Sequence, residues 1–265
     1  MGTDATDALS FLTPKARQAL GIASTATLTT QLLDRGLRNT FLHGLTHANP
    51  GQSRLLGEAF TLRCIPAREN LDVLSVFRDY DHPQRKAVES VGPGQVLVVD
   101  ARGKSRAASL GHILATRVKM RGGAGIVTDG SVRDMAGFEK LELPVFTAGV
   151  SATTNLALHH VVDMQVPIGC AEVPVYPGDI MVGDRDGVVC IPRELAEEVA
   201  LDAIEQEHLE EFILEIIESG SHCGATIRRP WRRLSVTTGC ERNGSGPTED
   251  PCPCRRGHDK RGSAL

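Results

Sequence analysis

The chain has 265 residues, of which 41% are hydrophobic and only 4% are aromatic, and its formal net charge is −4. This composition supports a sizeable aliphatic core, and the excess of acidic residues before residue 221 argues against nucleic-acid binding. No apolar run reaches the ~18–20 residues of a membrane helix and the N-terminus lacks a signal pattern, which predicts a cytoplasmic protein with no membrane segment.

The first half of the chain alternates between helical and strand-like patterns. Ser/Thr caps, helical periodicity and short apolar runs identify the elements. They predict a helix at residues 24–36, a strand at 57–66, a short helix at 70–80, a strand at 95–100 and a helix at 109–121. In the short helix, the apolar side chains are expected to point inward, namely Leu71, Leu74, Val76 and Phe77. Ser109 is expected to cap the helix at 109–121.

The second half continues the same alternation and then changes character. The predicted elements are a buried strand at residues 125–129, a short helix, a strand at 144–148, short strands over 161–191 and an acidic helix at 192–219. Cys64, Cys170 and Cys190 lie in strand-like runs and are interpreted as reduced core residues. These patterns predict one α/β domain at 23–219, an N-terminal extension at 1–22 and a basic, weakly ordered, cysteine-containing tail at 220–265.

The most informative stretch surrounds Arg133 and Asp134. The strand at 125–129 ends in Asp129-Gly130, which is expected to turn the chain and deliver both charged residues to the following loop. Open α/β sheets commonly bind ligands at the carboxyl ends of such strands. Arg133 offers a planar cation suited to carboxylate or enolate oxygens, and Asp134 offers a hard oxygen ligand for Mg²⁺. Adjacent Arg-Asp pairs are also common on protein surfaces, so spacing alone leaves both interpretations open.

A second candidate is the turn formed by Gly111, His112, Ile113 and Leu114 near a helix start. Backbone N–H groups in a first helical turn have no intrahelical acceptor and lie at the positive end of the helix dipole. Such a turn can bind an anion. It can equally be an ordinary first turn with no ligand.

Two further patterns favour structural interpretations. His159 and His160 with Asp163 resemble a metal cluster, but adjacent histidines point apart on either a strand or a helix. Residues 184–187 (DRDG) resemble part of a calcium loop but lack its remaining ligands, so a β-turn is predicted there.

An ordered set of motifs in this chain resembles the RraA-like family, which includes the 4-hydroxy-4-methyl-2-oxoglutarate aldolases with oxaloacetate decarboxylase activity. The motifs occur in the order GQVLVVD at 94–100, ASLGHILA at 108–115, GIVTDGSVRD at 125–134, LPVFTAG at 143–149 and VYPGDIMVGDRDGVV at 175–189. Each motif alone is weak, but their order is specific and the resemblance spans about residues 23–209.

The resemblance implies a swivelling β/α fold that assembles as a homotrimer or homohexamer with sites at subunit interfaces. It implies that Asp134 anchors a divalent metal, Mg²⁺ or Mn²⁺, and that Arg133 contacts the substrate. It also implies that backbone N–H groups of Gly111, His112, Ile113 and Leu114 hold a substrate carboxylate. The enzymes that this chain resembles usually carry an acidic residue at the position of His112. His112 is therefore either an acid or base near neutral pH or an uninvolved polar residue.

The function implied is a metal-dependent (class II) lyase that cleaves 4-hydroxy-2-oxo acids or decarboxylates oxaloacetate to give pyruvate. Metal and Arg133 would together stabilise the enolate that forms. One alternative is a non-catalytic regulator that binds a ribonuclease; regulators of that type lack the metal-anchoring aspartate, and this chain keeps Asp134. Another is a different lyase or hydratase of sugar-acid catabolism, which His112 leaves open.

Overall fold

The computed structural model describes residues 9–51 and 54–220. The chain divides into two compact units, residues 1–214 and 215–265, and of the second unit only 215–220 are described. The predicted tail therefore lies outside the described residues, apart from Gly220. The α-helices are α1 (Pro14–Ile22), α2 (Thr25–Asp34), α3 (Pro83–Ser90), α4 (His112–Met120), α5 (Met135–Phe138) and α6 (Ala196–Glu218). Within the described residues, no helix is both long and apolar enough to cross a membrane.

In the described parts of the chain, ten strands form one mixed sheet and two more form a separate hairpin. They are β1 (Phe41–Leu42), β2 (Thr46–His47), β3 (Leu55–Pro66), β4 (Gln95–Asp100), β5 (Ala108–Gly111), β6 (Gly125–Arg133), β7 (Val145–Val150), β8 (His159–Met164), β9 (Ile168–Cys170), β10 (Val173–Val175), β11 (Ile180–Gly183) and β12 (Val188–Ile191). The sheet order is β1-β12-β11-β3-β4-β6-β7-β2, with β5 beside β6 and β8 beside β3. β9 and β10 form the hairpin.

The centre of the sheet is parallel and buried on both faces. β3, β4, β6 and β7 pair in parallel, and β5 also runs parallel to β6. Neighbouring residues of β6 enter different cores: Ile126 packs with Val118 of α4, whereas Val127 packs with Phe146 of β7. Burial on both faces explains the uninterrupted apolar runs in the sequence. A third core lies where α1, α2 and α6 pack against β11 and β12.

The mixed α/β fold expected from the sequence is confirmed, including the long C-terminal helix. α2, β3, β4 and β7 each occur where they were predicted, within a few residues. The predicted cap at the start of α2 is also present, since the Ser24 hydroxyl accepts the Thr27 N–H at 3.1 Å. Cys64, Cys170 and Cys190 are buried and unpaired, as expected.

The prediction that Ser109 caps a helix is wrong. Ser109 lies in β5, and its hydroxyl is 2.8 Å from that of Thr128 in β6. The helix begins only at His112, with Gly111 as its N-cap. Because β5 leads directly into α4, the helical spacing of apolar residues extends back into the strand. Pairing between strands overrides this local pattern.

The prediction for residues 70–80 is also wrong in part. A single 3₁₀ turn at Leu74–Arg78 replaces the helix, and Leu71 and Leu74 are exposed rather than packed inward. The regular helix in this region is α3, which follows immediately and which the sequence reading missed. Pro83 at its start is a signal that could have located it, because proline is favoured at the first helical position.

Asp129-Gly130 does not end its strand as predicted. β6 continues to Arg133, but its pairing changes at this point from β4 to β5. The pairing with β7 also shifts register there. A Cβ on Gly130 would lie 2.4 Å from the Ser109 Oγ atom, so glycine permits the close approach of β5. The turn-like dipeptide therefore marks an irregularity inside a long strand.

Candidate functional site

The site lies where two parallel strands end side by side. β5 and β6 are in parallel register, so Gly111 pairs with Arg133 at their carboxyl ends. α4 begins directly after Gly111, and α5 begins directly after Asp134. This strand pairing brings the two motifs that the sequence singled out into contact.

Asp134 adopts a conformation that is uncommon for a residue with a side chain. Its φ is 67° and its ψ is 46°, in the left-handed region that aspartate tolerates better than most residues. Its Oδ2 atom lies 3.7 Å from the Arg133 Nε atom, and its side chain is 56% exposed. Within the described chain, no hydrogen-bond donor reaches this carboxylate. Its oxygens are therefore available to a ligand.

Gly111 allows the strand end to approach this carboxylate closely. A Cβ at Gly111 would lie 2.6 Å from the Asp134 Oδ2 atom and 3.2 Å from the Arg133 Nε atom. Any larger residue would displace one of these side chains. The absence of a side chain at Gly111 thus leaves room for Arg133 and Asp134 beside the start of α4.

A cavity of about 190 Å³ opens over this contact. Its volume is below the usual range for drug-sized ligands, which suits a small metabolite. Five predicted site residues line it, namely Gly111, Ile113, Leu114, Arg133 and Asp134. The start of α4 presents backbone N–H groups without a side-chain cap, because its N-cap is Gly111.

His112 does not line this cavity with its neighbours. Its Nε2 atom lies 3.2 Å from the Thr116 hydroxyl, one turn further along α4. Its ring meets Phe138 edge-on, with 6.2 Å between ring centroids. A Cβ at Gly137 would lie 2.3 Å from the ring, so glycine is required in α5 beneath it. The imidazole therefore packs between α4 and α5, an arrangement that favours the uninvolved interpretation over acid–base chemistry.

Sequence reasoning missed four other residues that line the cavity, namely Phe77, Gln84, Arg85 and Asn155. The Gln84 amide donates to the Ser109 carbonyl at 2.5 Å, and the Asn155 amide donates to the Gln84 Oε1 atom at 3.3 Å. The four residues come from the 3₁₀ turn at Leu74–Arg78, from α3 and from a 3₁₀ turn after β7, so they are spread along the sequence. No local pattern in the sequence marks them.

The residues present fit a divalent metal of the Mg²⁺ type. Within the described residues, no group of three or more His, Cys, Asp or Glu side chains could hold an ion. Mg²⁺ does not need such a cage, since proteins often bind it through one or two carboxylates while it retains several waters. Asp134 offers a ligand of this kind, because its carboxylate oxygens lie at the cavity and accept no hydrogen bond from the described residues.

The two weaker candidates have structural roles, as predicted. His159 is buried, with Nε2 3.3 Å from the Ala107 carbonyl, whereas His160 faces away and lies 2.8 Å from Asp72. Burial lowers the pKa of His159, so the neutral imidazole is favoured. In the turn between β11 and β12, the Asp184 carboxylate accepts the Thr25 N–H at 2.7 Å and thus stabilises the start of α2.

The described residues thus form a mixed α/β sheet with an arginine–aspartate pair at its parallel strand ends, beside a small cavity. The family model described as RraA-like, Aldolase/RraA, matches residues 25–190. This match covers more than half of the sequence, and the chain therefore belongs to the RraA-like family.

Relatives in this family bear two kinds of name. A Thermus thermophilus protein named 4-hydroxy-4-methyl-2-oxoglutarate aldolase is 35% identical over 143 residues, which is 54% of this chain and 78% of that protein. A Halalkalibacterium halodurans protein that bears the same name provisionally is 34% identical over 148 residues; the match covers 55% of this chain but only 63% of that relative. A solved structure from Streptomyces coelicolor, RraAS2, is described as an unusual member of the RNase ES inhibitor RraA family. It has a TM-score of 0.66 and 31% identity, covering 76% of this chain and 96% of that chain.

Proposed function

We propose that this protein is a divalent-metal-dependent lyase that releases pyruvate from a 4-hydroxy-2-oxo acid or from oxaloacetate. The observation that carries the proposal is the Asp134 carboxylate beside Arg133 at the cavity, where Gly111 leaves room for both side chains next to the start of α4. The aldolase names of the relatives at 34–35% identity support lyase chemistry.

The cavity residues divide the work of binding and charge stabilisation. Asp134 is the residue that would hold Mg²⁺ or Mn²⁺, and such an ion polarises a 2-oxo group as a Lewis acid. The N–H groups at the start of α4, near Ile113 and Leu114, would orient the substrate carboxylate. Arg133 would add positive charge where the enolate oxygen of pyruvate develops when the carbon–carbon bond breaks.

Proton handling separates the two candidate reactions. Among the described cavity-lining residues, Asp134 is the only titratable acid, and the proposal uses it as a metal ligand. Decarboxylation of oxaloacetate releases CO₂ and removes no proton from the substrate; the pyruvate enolate that remains takes up one proton, which solvent can supply, so no base is needed among these residues. Retro-aldol cleavage must also remove a proton from the 4-hydroxyl group. A base from solvent or from another subunit is required for that reaction, in keeping with the homotrimer or homohexamer that we propose.

A pyruvate-release assay on purified full-length protein tests this proposal. Oxaloacetate and a panel of 4-hydroxy-2-oxo acids are compared with Mg²⁺, with Mn²⁺ and with EDTA, and the metal alone without protein gives the background. The expected result is metal-dependent pyruvate release above that background for at least one substrate. Absence of release from every substrate with either metal would refute the proposal.

The relationship to RraAS2 supports a second candidate, a regulator that binds a ribonuclease. Inhibition of a purified RNase E-type enzyme is the direct measurement. If the protein is a non-catalytic regulator, Asp134→Ala should inhibit the ribonuclease as strongly as wild type does, because a metal bound at Asp134 would take no part in ribonuclease binding.

A further inference from the structure

Arg85 is a second cation that lines the cavity, and it comes from a different element than Arg133. It lies in the first turn of α3, a helix that Ala87 and Val88 anchor in the core. Arg85 lines the cavity together with Gln84. α3 is thereby anchored in the core while this guanidinium faces the ligand space.

The guanidinium is held in place without being neutralised. It donates to the Phe77 carbonyl and lies over the Tyr80 ring, 5.5 Å from the ring centroid. Within the described chain, no carboxylate forms an ion pair with Arg85. Arginine has five N–H donors, so several remain available after one hydrogen bond to the Phe77 carbonyl.

The charges around the cavity are therefore unbalanced. Arg133 has Asp134 beside it at 3.7 Å, whereas Arg85 has no acidic counterpart. The other lining residues are neutral. A planar cation that faces a small cavity without a partner is suited to binding a carboxylate through paired N–H groups.

We propose that Arg85 is a specificity-determining residue that binds a second carboxylate of the substrate. The proposed function supplies the first contact, since the 2-oxo acid end would lie at Asp134, Arg133 and the start of α4. The second carboxylate then lies at the α3 wall, and the cavity selects dianionic over monoanionic 2-oxo acids. The inference thus rests on the proposed function for its substrate class, but its test does not depend on turnover.

The test compares two ligands that differ at one end only. 2-Oxoglutarate carries a second carboxylate where 2-oxopentanoate has a methyl group. Their dissociation constants are measured by isothermal titration calorimetry with Mg²⁺ present, on the full-length chain. Wild type is expected to bind 2-oxoglutarate about tenfold or more tightly, as a charge-assisted hydrogen bond predicts. Arg85→Gln is expected to abolish this preference and to leave 2-oxopentanoate binding unchanged.

Lys86→Gln is the matched control. Lys86 is the next residue of α3 and pairs with Asp81 at 3.2 Å, so its removal changes the net charge of the same helix without altering the cavity lining. It should retain the full preference for 2-oxoglutarate. Loss of the preference in this variant as well would show that general charge, not Arg85, selects the ligand.

Three results would overturn the proposal. They are a wild-type protein with no preference, an Arg85→Gln protein that keeps the preference, and an Arg85→Gln protein that binds both ligands more weakly by the same factor. The last result would mean that Arg85 only anchors the segment containing Phe77 and Tyr80.

Circular dichroism shows whether Arg85→Gln is folded. If it is not, Arg85→Lys replaces it and should reduce the preference for 2-oxoglutarate severalfold. An unchanged ratio of the two dissociation constants in Arg85→Lys would contradict the proposal. A wild-type protein that shows the preference but releases no pyruvate from any substrate would refute the proposed function alone.

Discussion

Asp129 and Asp134 lie near each other in sequence but meet opposite environments. The Asp129 side chain is buried and accepts the N–H groups of Ala101 at 2.6 Å, Gly103 at 2.8 Å and Ala171 at 3.2 Å. Burial raises the pKa of Asp129, and these three hydrogen bonds counteract that shift. Asp134 is exposed at the cavity and accepts no such bond within the described residues. A carboxylate whose oxygens accept several hydrogen bonds from the backbone stabilises the fold. A carboxylate that accepts no hydrogen bond has oxygens available to bind a ligand.

The largest expected effect separates activity from stability at Asp134. Asp134→Ala should lower kcat for pyruvate release at least ~10²-fold, since loss of comparable electrostatic stabilisation costs about 3 kcal/mol. Its melting temperature should fall by only about 2–4 °C, because the side chain makes no hydrogen bond within the described residues and alanine at this left-handed φ costs about 1 kcal/mol. Steady-state kinetics and a thermal melt measure both. Near-normal turnover would show that the reaction does not need this carboxylate.

Asp129→Ala should show the converse behaviour. The substitution leaves three backbone N–H groups without their acceptor, and the expected loss in the free energy of unfolding is about 3 kcal/mol. For a chain of this size that corresponds to a melting temperature roughly 6–12 °C lower. Chemical denaturation and thermal melts check this value. A variant that is as stable as wild type but inactive would place Asp129 in the chemistry instead.

The comparison is sharpened at Arg133 by a substitution that keeps the charge. Arg133→Lys should remain folded but should not restore the activity lost in Arg133→Ala, because an ammonium group cannot span two oxygens as the guanidinium does. We expect kcat/KM to stay about tenfold or more below wild type, equivalent to ~1.4 kcal/mol. Equal rates for Arg133→Lys and wild type would mean that only net charge matters at this position.

The smallest expected effect is the pH dependence contributed by His159. Burial lowers its pKa in the folded chain, whereas the unfolded chain titrates near ~6.5. Protons therefore bind preferentially to the unfolded chain as the pH falls below ~6.5, and stability is lost over that interval. Above it, the contribution is fully present. Between pH 8 and pH 5, the melting temperature should decrease less steeply for His159→Gln than for wild type. Burial also lowers the pKa of His82, which therefore contributes to the pH dependence of both proteins. Only the difference between wild type and His159→Gln is assigned to His159.

Local patterns were sufficient for the parts of the fold that are buried on both faces. The apolar runs of β4 and β6 identified the parallel centre, and the Ser24 cap located α2. The ordered motifs placed Gly111, Arg133 and Asp134 in one family site, and these three residues do meet at one cavity. Their catalytic and metal-binding roles remain proposals.

Long-range pairing determined what the sequence could not predict. Ser109 looked like a helix cap, but pairing of β5 with β6 placed it in a strand. Asp129-Gly130 looked like a turn, but the strand continues through it where its neighbour changes. Arg85 and Asn155 reach the cavity only because α3 and the turn after β7 pack beside the same strand ends. Contacts between distant segments leave no periodic signal in a single sequence.

The central claim is that a divalent metal anchored at Asp134 is required for pyruvate release. The most direct measurement is oxaloacetate decarboxylation by metal-stripped wild-type protein while Mg²⁺ is titrated back, with Asp134→Ala and a protein-free sample in parallel. The proposed function predicts that wild-type activity is lost on stripping and returns with saturation, and that Asp134→Ala never rises above the protein-free rate. Full wild-type activity in EDTA, or equal saturation curves for the two proteins, would contradict it.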